Sequence, residues 1–325
     1  MAVRDVGGIE AGPDTGSGAT GGESTRAWLP GRQSYFLEVP GAAGASGLSV
    51  ASFDAVERLG EPYRVTVRLT HPENLPRSDF LQKDASFVID PGDGTPPRQF
   101  AGSIFRFSKT GETRDFRAYT VELCPKVARL KLVRSSRVYL DKTAPQIIES
   151  ILRRHDLAGH QFAFRLRRAY PEHKFRLQYQ MTDWDYVRLL MEQEGMYSYF
   201  TPGQFGAQFG DVFTVADDID HYLYKPELRV PYRQRAGLDA GSAAVFALET
   251  HACAVPESFL VADYNPAHAF ERLTAEANVA RQERGNYGQP YAFGTHHLDA
   301  DGAQWEAQLR HEAAMRANWH RREKA

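Results

Sequence analysis

The sequence predicts a mainly β fold in which a small α+β unit is inserted between two β regions. Short alternating apolar runs separated by turn residues occupy the chain before about residue 140 and again after about residue 238. Two capped, amphipathic helices lie between these regions. At 325 residues and 42% hydrophobic content, the chain is long enough for two or three domains with a buried core.

Residues 1–31 precede the first predicted strand and contain almost no large apolar side chains. They are rich in Gly, Ala, Ser, Thr and Asp and cannot bury enough surface to offset the entropy cost of ordering, so we interpret them as a disordered leader. We expect limited proteolysis to remove this segment first and its deletion to leave the melting temperature unchanged. Protection from proteolysis, or a melting temperature several degrees lower after deletion, would contradict this interpretation.

The first β region extends to about residue 140. Its clearest strand is residues 63–69, where Tyr and Val alternate with Arg and Thr, so that one face meets a core and the other meets water. The Gly-Asp-Gly sequence at 92–94 lacks the Lys and the helix of a phosphate-binding loop and is interpreted as a plain turn. Strands at this spacing predict a closed antiparallel barrel or a sandwich. The other predicted strands are residues 35–39, 48–53, 87–89, 100–107 and 116–123.

The α+β unit, residues 141–237, opens with a helix that begins after Thr143. Thr143 and Gln146 are placed to form a capping box, and Pro145 fits the first turn. The helix is expected to end between residues 155 and 159. Two alternating strands are predicted after it, at residues 162–166 and 175–179. The buried stripe of the helix comprises Ile147, Ile148, Ile151 and Leu152.

The second helix, which follows Met181, is the best-marked element of the chain. Thr182 is its predicted N-cap, and Asp183 and Asp185 put negative charge in the first turn, with Asp185 at the reciprocal capping position. Gly195 can adopt the left-handed conformation that ends a helix. The predicted strands that follow are residues 196–200 and 211–216.

The second β region, residues 238–325, carries weaker signals. Residues 244–250, 252–255 and 259–264 predict strands, and a more polar stretch continues through residues 291–293. The last predicted element is a charged helix from Gln304 to about Arg322, with no β segment after it.

The formal net charge of −2 gives the chain no global electrostatic reason to bind nucleic acid or an anionic membrane. Residues 126–176 are nevertheless basic, with thirteen Lys and Arg against four Asp and Glu, which predicts either a solvated face or an interface with an acidic protein.

No apolar run approaches the length of a membrane span. Cys124 and Cys253 lie far apart in strand-like runs, which predicts buried thiols and not a disulfide or a CxxC metal site.

Several motifs in this sequence resemble those of a known family. They are FAGSI at 100–104, DKTAPQII at 141–148, QYQMTDWDYV at 178–187 and EGMY at 194–197. On these structural signatures, the chain from about residue 35 to about residue 319 resembles the N-terminal region of the VgrG family, the spike proteins of bacterial type VI secretion. That region is similar to the baseplate hub of contractile phage tails.

The resemblance implies two related, hub-like β-barrel domains, residues 32–140 and 238–325, flanking the α+β unit, with the second barrel incomplete at its C-terminal end. It implies a homotrimer whose six barrels form a pseudo-sixfold ring that docks the hexameric tube protein Hcp. Family members continue into an intertwined needle that this sequence lacks, so trimerisation is expected to be weak. Effector, adaptor and tip proteins are further implied partners. The protein is expected in the bacterial cytoplasm before assembly and is then secreted through the type VI apparatus without a cleavable signal peptide.

An enzyme would need a nucleophile, a general base or a set of metal ligands. His296, His297 and Asp299 form the best candidate cluster, and His251 with Cys253 the second, but neither has helix-borne ligand spacing or an adjacent general base. No G-x-S-x-G elbow is present. We therefore predict a structural protein with no catalytic, cofactor-binding or metal-binding residues. A phage-type tail hub is the main alternative, and a metal-dependent hydrolase is the second.

Overall fold

The computed structural model describes residues 35–90, 97–205, 208–221, 232, 245, 247–315 and 319–324. The predicted leader, residues 1–31, and the predicted turn at 92–94 lie outside the described residues and stay predictions. None of the described helices is both long enough and apolar enough to cross a membrane.

Six strands form one antiparallel sheet in the N-terminal third of the chain. They are β1 (Tyr35–Glu38), β2 (Ser49–Arg58), β3 (Glu61–His71), β4 (Asp84–Ile89), β5 (Arg98–Glu112) and β6 (Arg117–Cys124). Their order across the sheet is β1-β4-β5-β6-β3-β2. The ring of Tyr35 on one edge strand lies 4.9 Å from the ring of Phe53 on the other edge strand. The two edges are therefore close together, which shows that the sheet curls strongly. The described pairings leave β1 and β2 unjoined, so the sheet is a half-barrel.

Side-chain alternation determines which side of this half-barrel is buried. Tyr63, Val65 and Val67 on β3 point inward and are almost fully buried, whereas Arg64 and Arg68 on the same strand are exposed. This is the arrangement predicted for residues 63–69. The predicted pairing of 87–89 with 100–107 is also confirmed, as the antiparallel β4–β5 ladder.

The α+β unit follows a short 3-10 helix, Lys126–Leu132. Its elements are β7 (Arg134–Tyr139), α1 (Ala144–Arg154), β8 (Phe162–Arg165), β9 (Arg176–Thr182), α2 (Asp183–Gln193), β10 (Tyr197–Phe205) and β11 (Gln208–Ala216). β10, β11 and β8 form one sheet, in which β8 runs parallel to β11, and β7 pairs with β9 as a two-stranded ribbon. The buried stripes of α1 and α2 share one apolar core with Phe162, Phe213 and Val215.

Both predicted helix starts are confirmed. Thr143 and Gln146 form the reciprocal capping box of α1, and the Asp185 N–H donates to the Thr182 hydroxyl over 3.0 Å at the start of α2. The Asp185 side chain differs from the prediction, because it accepts a bond from the Thr182 hydroxyl over 2.6 Å instead of from the N-cap backbone. Gly195 has φ +67°, the left-handed conformation predicted for it.

The orientation of β9 could not be predicted from its apolar alternation. Phe175, Leu177 and Tyr179 are exposed, and Gln178 is completely buried. The Gln178 amide is satisfied inside, since its carbonyl oxygen lies 3.3 Å from the Tyr139 hydroxyl and its nitrogen donates to a buried carboxylate. A polar residue is therefore stable on the buried side, and the apolar residues face outward.

The C-terminal part contains two small sheets and one helix. Its elements are β12 (Ala247–Ala252), β13 (Phe259–Asp263), β14 (Leu273–Ala277), β15 (Tyr291–Phe293), α3 (Ala300–Met315) and β16 (Trp319–Lys324). β14, β13 and β15 form one sheet against α3, and β12 pairs with β16. The two-barrel arrangement and the domain boundaries at 140 and 238 stay predictions.

The prediction of one helix from Gln304 to about Arg322 was wrong at both ends. α3 begins at Ala300 and ends at Met315, and a strand follows it. β16 forms by pairing with β12, about seventy residues earlier in the chain, through the register Ala252↔Trp319 to Ala247↔Lys324. A pairing this distant leaves no mark in the local periodicity. The strand β14, which pairs with β13, was not predicted either.

Candidate functional site

A fully buried carboxylate, Asp183, lies where α1, α2 and the β7–β9 ribbon meet. Arg154 and His155, at the end of α1, bring side-chain nitrogens to 2.8 and 2.7 Å from its Oδ2. Gln178 and Ser135 donate to its Oδ1 over 2.7 and 2.8 Å. Its own backbone N–H also donates to the chain at the start of β7. The Asp183 side chain therefore links α2 to α1 and to both strands of the ribbon.

The charge of Asp183 is stabilised despite its burial. Burial raises the pKa of the carboxyl group, but hydrogen bonds from Arg154, Gln178, His155 and Ser135 together outweigh it and bring the pKa to about 2. The sequence predicted only that Asp183 would complement the N-terminal end of the helix. Its second role depends on Gln178 and on three partners from 28 to 48 residues away, which no local motif indicates.

A second buried carboxylate, Glu194, ends α2. Arg168 lies 3.3 Å from its Oε2, and His173 and Arg176 lie 3.1 and 3.5 Å from its Oε1. The Arg168 guanidinium also stacks 3.9 Å above the ring of Trp305 on α3. This cluster therefore connects the α+β unit to the C-terminal helix.

A third carboxyl group, Asp211 on β11, connects the α+β unit to the half-barrel. The Tyr63 hydroxyl lies between the Ala101 carbonyl and the Asp211 carboxyl, and the Ala101 N–H donates to Asp211 over 3.3 Å. The Tyr63 hydroxyl has one proton and can donate to only one of these two acceptors at a time. Burial raises the pKa of Asp211 to about 7, against the lowering effect of the Ala101 N–H.

Stability is expected to depend on pH through Asp211. Because its folded pKa is raised, the folded state holds one more proton than the unfolded state between about pH 4 and about pH 7, and stability is lost as pH rises through that window. We expect Asp211→Asn, which mimics the protonated acid, to remove that loss, which is about 4 kcal/mol across the window.

Urea unfolding at the two ends of this pH window, for the wild type and the variant, measures the effect. Glu306 on α3 provides a second test of the same linkage, because burial raises its pKa to about 7 as well, and Glu306→Gln is expected to reduce the pH dependence in the same direction. Equal pH dependence in the wild type and in Asp211→Asn would show that Asp211 is ionised in the folded protein.

The predicted candidates His296, His297 and Asp299 do lie together, at a cleft of about 1000 Å³ between β9 and the C-terminal part. His297 is buried, and both of its ring nitrogens are occupied: Nδ1 lies 2.7 Å from the Thr295 hydroxyl and Nε2 lies 3.1 Å from the Leu273 carbonyl oxygen. With the hydroxyl donating to Nδ1, the Nε2–H donates to the carbonyl. This ring has no free nitrogen for a metal or a substrate.

The other two members of this cluster also have local structural contacts. The His296 N–H donates to the Asp263 carboxylate, and the Asp299 carboxylate accepts from the Gly302 N–H over 2.7 Å at the start of α3. Across the described ranges, no group of three His, Cys, Asp or Glu side chains is arranged to hold a metal ion.

The two cysteines differ in their surroundings. Cys124 is half-buried at the end of β6, and burial raises the pKa of its thiol to about 11, so it is a poor nucleophile. Cys253 is exposed, so the prediction of a buried thiol was wrong there. It follows the end of β12 and so lies outside a sheet. The side chain of His251, its predicted neighbour, lies outside the described side chains.

Much of the basic segment 126–176 is neutralised by acids of the same chain. Six of its thirteen bases form ion pairs with described carboxylates. A fully solvated basic face is therefore too simple a description. The pairs are Lys126–Asp84, Arg153–Glu149, Arg154–Asp183, Arg167 with Asp218 and Asp220, and both Arg168 and Arg176 with Glu194.

An apolar surface, which we call the ribbon face, lies on the outside of the β7–β9 ribbon. Its side chains are between 48% and 64% exposed, and Val138 lies directly opposite Leu177 across the ribbon. A contiguous apolar surface without reactive groups is suited to protein contact and not to chemistry. The ribbon face comprises Val138, Leu140, Phe175, Leu177 and Tyr179.

Comparison with known proteins places these features in a family. The family model described as the phage tail baseplate hub (GPD) matches residues 56–320. The type VI secretion system spike protein VgrG3 of Vibrio cholerae is 28% identical over 280 residues, which cover 84% of this chain and 26% of that protein. VgrG1b of Pseudomonas aeruginosa is 31% identical over 170 residues, covering 52% of this chain and 22% of that protein. The chain therefore spans about a quarter of the length of these relatives.

Solved structures show the same fold. The E. coli c3393 protein, a type VI secretion component with structural similarity to phage T4 tail proteins, matches with a TM-score of 0.56 and 26% identity over 67% of this chain and 56% of that chain. A 43 kDa prophage tail protein from Shewanella oneidensis matches with a TM-score of 0.52 and 13% identity over 89% of this chain and 81% of that chain. The second likeness concerns the fold alone.

Proposed function

Since this chain belongs to the phage tail baseplate hub family, we propose that it is the hub of a type VI secretion spike, a homotrimer that docks the hexameric Hcp tube. The observation that carries the proposal is the family match across residues 56–320, which includes most of the half-barrel and the whole α+β unit. Its relatives among the curated proteins are named as type VI spike proteins, which supports a hub or spike role. In this role the hub supports the spike, and effector, adaptor and tip proteins are its further partners.

A phage or phage-like tail hub is the second candidate. It is favoured by the description of the family model, the phage tail baseplate hub, whereas the likeness to the Shewanella oneidensis prophage tail protein concerns the fold alone. Sequence identity favours the type VI role, at 26% against 13%. Binding to Hcp, or to a phage tail-tube protein, would distinguish the two.

A non-enzymatic role is part of the proposal. Its support is the geometry of the histidine cluster, because the ring of His297 is fully engaged with Thr295 and Leu273. A hydrolase activity that persists in the isolated chain and disappears in His296→Ala or His297→Ala would contradict it. We also propose that the protein is cytoplasmic before assembly and leaves the cell through the type VI apparatus.

Light scattering over a concentration series tests the proposed trimer. The chain spans about a quarter of the length of its relatives, and any apolar area that the remainder buries between subunits contributes roughly 25 cal/mol per Å², so the chain alone is expected in a monomer–trimer equilibrium. A stable dimer at every concentration would contradict the hub assignment. So would failure to bind Hcp when the chain is fused to a trimerising coiled coil, which supplies the symmetry independently.

A further inference from the structure

The cleft between β9 and the C-terminal part has two apolar walls. Phe175 and Leu177, which belong to the ribbon face, line one wall, and Tyr264 and Leu298 line the other. Each of these four side chains is about half exposed, so both walls are accessible. At about 1000 Å³, the cleft lies at the upper end of the range for small-molecule sites and has room for several residues of a peptide.

Two polar groups that line this cleft have no hydrogen-bond partner among the described residues. Tyr186 on α2 is only 2% exposed, and its buried hydroxyl is unpaired. Burial raises the pKa of this hydroxyl to about 12, against the lowering effect of the Arg176 charge, so it keeps its proton and can donate it. Arg176 on β9 contacts Gln193 and His173 through its two terminal nitrogens, but its Nε is unpaired. Two buried donors without acceptors point to a ligand that supplies an acceptor.

The charges around Arg176 indicate which acceptor fits. Arg176 and Arg168 share one carboxylate, Glu194, at N–O distances of 3.5 and 3.3 Å. The nearby acid Glu306 pairs with a third guanidinium, Arg310, at 3.4 Å and does not offset the difference. Two guanidinium groups therefore face one negative charge, and the surplus positive charge favours a carboxylate as the acceptor.

The remaining charges limit the ligand to one carboxylate. Four acids line the cleft against two Lys or Arg side chains, so a ligand with several negative charges would be repelled. Backbone N–H groups or His268 compensate three of these acids, and the fourth, Glu172, lies two residues from Lys174. The three compensated acids are Asp263, Glu271 and Asp299.

We propose that this cleft binds a peptide segment of a partner protein, in which one acidic side chain lies between two apolar side chains. The carboxylate accepts from the Tyr186 hydroxyl and from Arg176 Nε, and the apolar side chains contact the two walls. The partner is a peptide because an apolar group on each side of the carboxylate matches a wall on each side of the cleft. None of this evidence comes from the family match, so the inference does not rest on the proposed hub function.

Calorimetric titration of the full chain with matched peptides tests the site. The probes are the N-acetylated, C-terminally amidated tripeptides Phe-Glu-Phe and Phe-Gln-Phe, which differ only in the carboxylate. We expect Phe-Glu-Phe to bind about tenfold more tightly or better, because hydrogen bonds to a charged acceptor are stronger than those to a neutral one. Phenylpropionate, which carries one ring and a carboxylate without a peptide, is expected to bind more weakly than Phe-Glu-Phe.

Tyr186→Phe removes one donor and keeps the ring, so it is expected to weaken binding of Phe-Glu-Phe about tenfold. Tyr139→Phe is the matched control, because the Tyr139 ring stacks on the Tyr186 ring at 5.8 Å but does not line the cleft. This control is expected to bind like the wild type. Leu177→Asp, at an exposed position on one wall, places a negative charge beside the ligand carboxylate and is also expected to weaken binding. Thermal melts establish that each variant is folded.

Three results would overturn the inference. If Phe-Glu-Phe does not bind, or binds no more tightly than Phe-Gln-Phe, the cleft does not recognise a carboxylate. If Tyr139→Phe weakens binding as much as Tyr186→Phe, or if Leu177→Asp has no effect, the peptide binds elsewhere. If phenylpropionate binds as tightly as Phe-Glu-Phe, the site accepts small acids and not a peptide. Each of these results leaves the light-scattering and Hcp-binding tests of the hub proposal unaffected.

Discussion

Asp183→Asn is expected to lower the free energy of unfolding by about 3 kcal/mol or more, because it removes the charge from a buried ion pair. The carboxylate is completely buried and receives bonds from α1 and from both strands of the ribbon. The neutral amide leaves the Arg154 guanidinium partly buried without a counter-charge. It also presents an N–H₂ group where donors already converge. Urea unfolding at neutral pH measures the loss.

The pH dependence of the same variant has a defined sign. The folded pKa of Asp183, about 2, lies below its unfolded value, so its contribution is complete above about pH 4 and is lost as pH falls toward 2. The wild type should therefore approach the stability of Asp183→Asn in acid. Asp185→Asn is the matched control, since Asp185 lies in the same first turn but bonds only within the cap; its cost is expected to be about 1 kcal/mol or less. Equal losses of unfolding free energy in the two variants would show that Asp183 contributes only as a negative charge at the start of α2, and not through its buried ion pair.

Gly195→Val is expected to destabilise the protein by about 2 to 4 kcal/mol, for two separate reasons. Gly195 has φ +67°, a conformation that a β-branched residue tolerates poorly. A Cβ atom there would also lie 2.9 Å from Leu309 Cδ1 and 3.2 Å from Trp305 Cζ2, both on α3. The substitution therefore strains the end of α2 and displaces the C-terminal helix. Thermal or urea unfolding measures the sum.

Gly60→Val separates the two causes. Gly60 has φ +77° in the β2–β3 turn, and a Cβ atom there would have no neighbour within 4 Å. Its cost is expected to be the backbone strain alone, about 1 to 2 kcal/mol. If Gly195→Val lowers the free energy of unfolding no more than Gly60→Val does, α3 moves away from the new side chain without loss of stability. The contact between α2 and α3 then contributes little to stability.

The buried charges are the part of this protein that sequence reasoning missed. Asp183, Glu194 and Asp211 each appeared as an ordinary cap, helix-end or strand residue. Each is buried or half-buried and interacts with residues between 18 and 148 positions away. A charged side chain in a local pattern is expected at the surface, and only the presence of its distant partners makes burial tolerable.

The orientation of β9 is a second feature that the local sequence could not predict, in this case because apolar side chains face outward. Periodicity indicated a strand at residues 175–179, and a strand is there. Which side faces the core depends on the free energy of the whole arrangement. Here the hydrogen-bonded Gln178 lies on the buried side, and three apolar side chains face outward and form part of the ribbon face.

The sequence by itself determined the elements whose causes are local. Alternation places the strands β3 to β6, Thr143 and Thr182 start the two central helices, and Gly195 ends the second, because capping and φ preferences act within a few residues. The tertiary structure alone decided the β12–β16 pairing, the sharing of Asp183 among three elements, and the exposure of the ribbon face. These depend on residues far apart in the chain, whose contact energies exist only once the chain has folded.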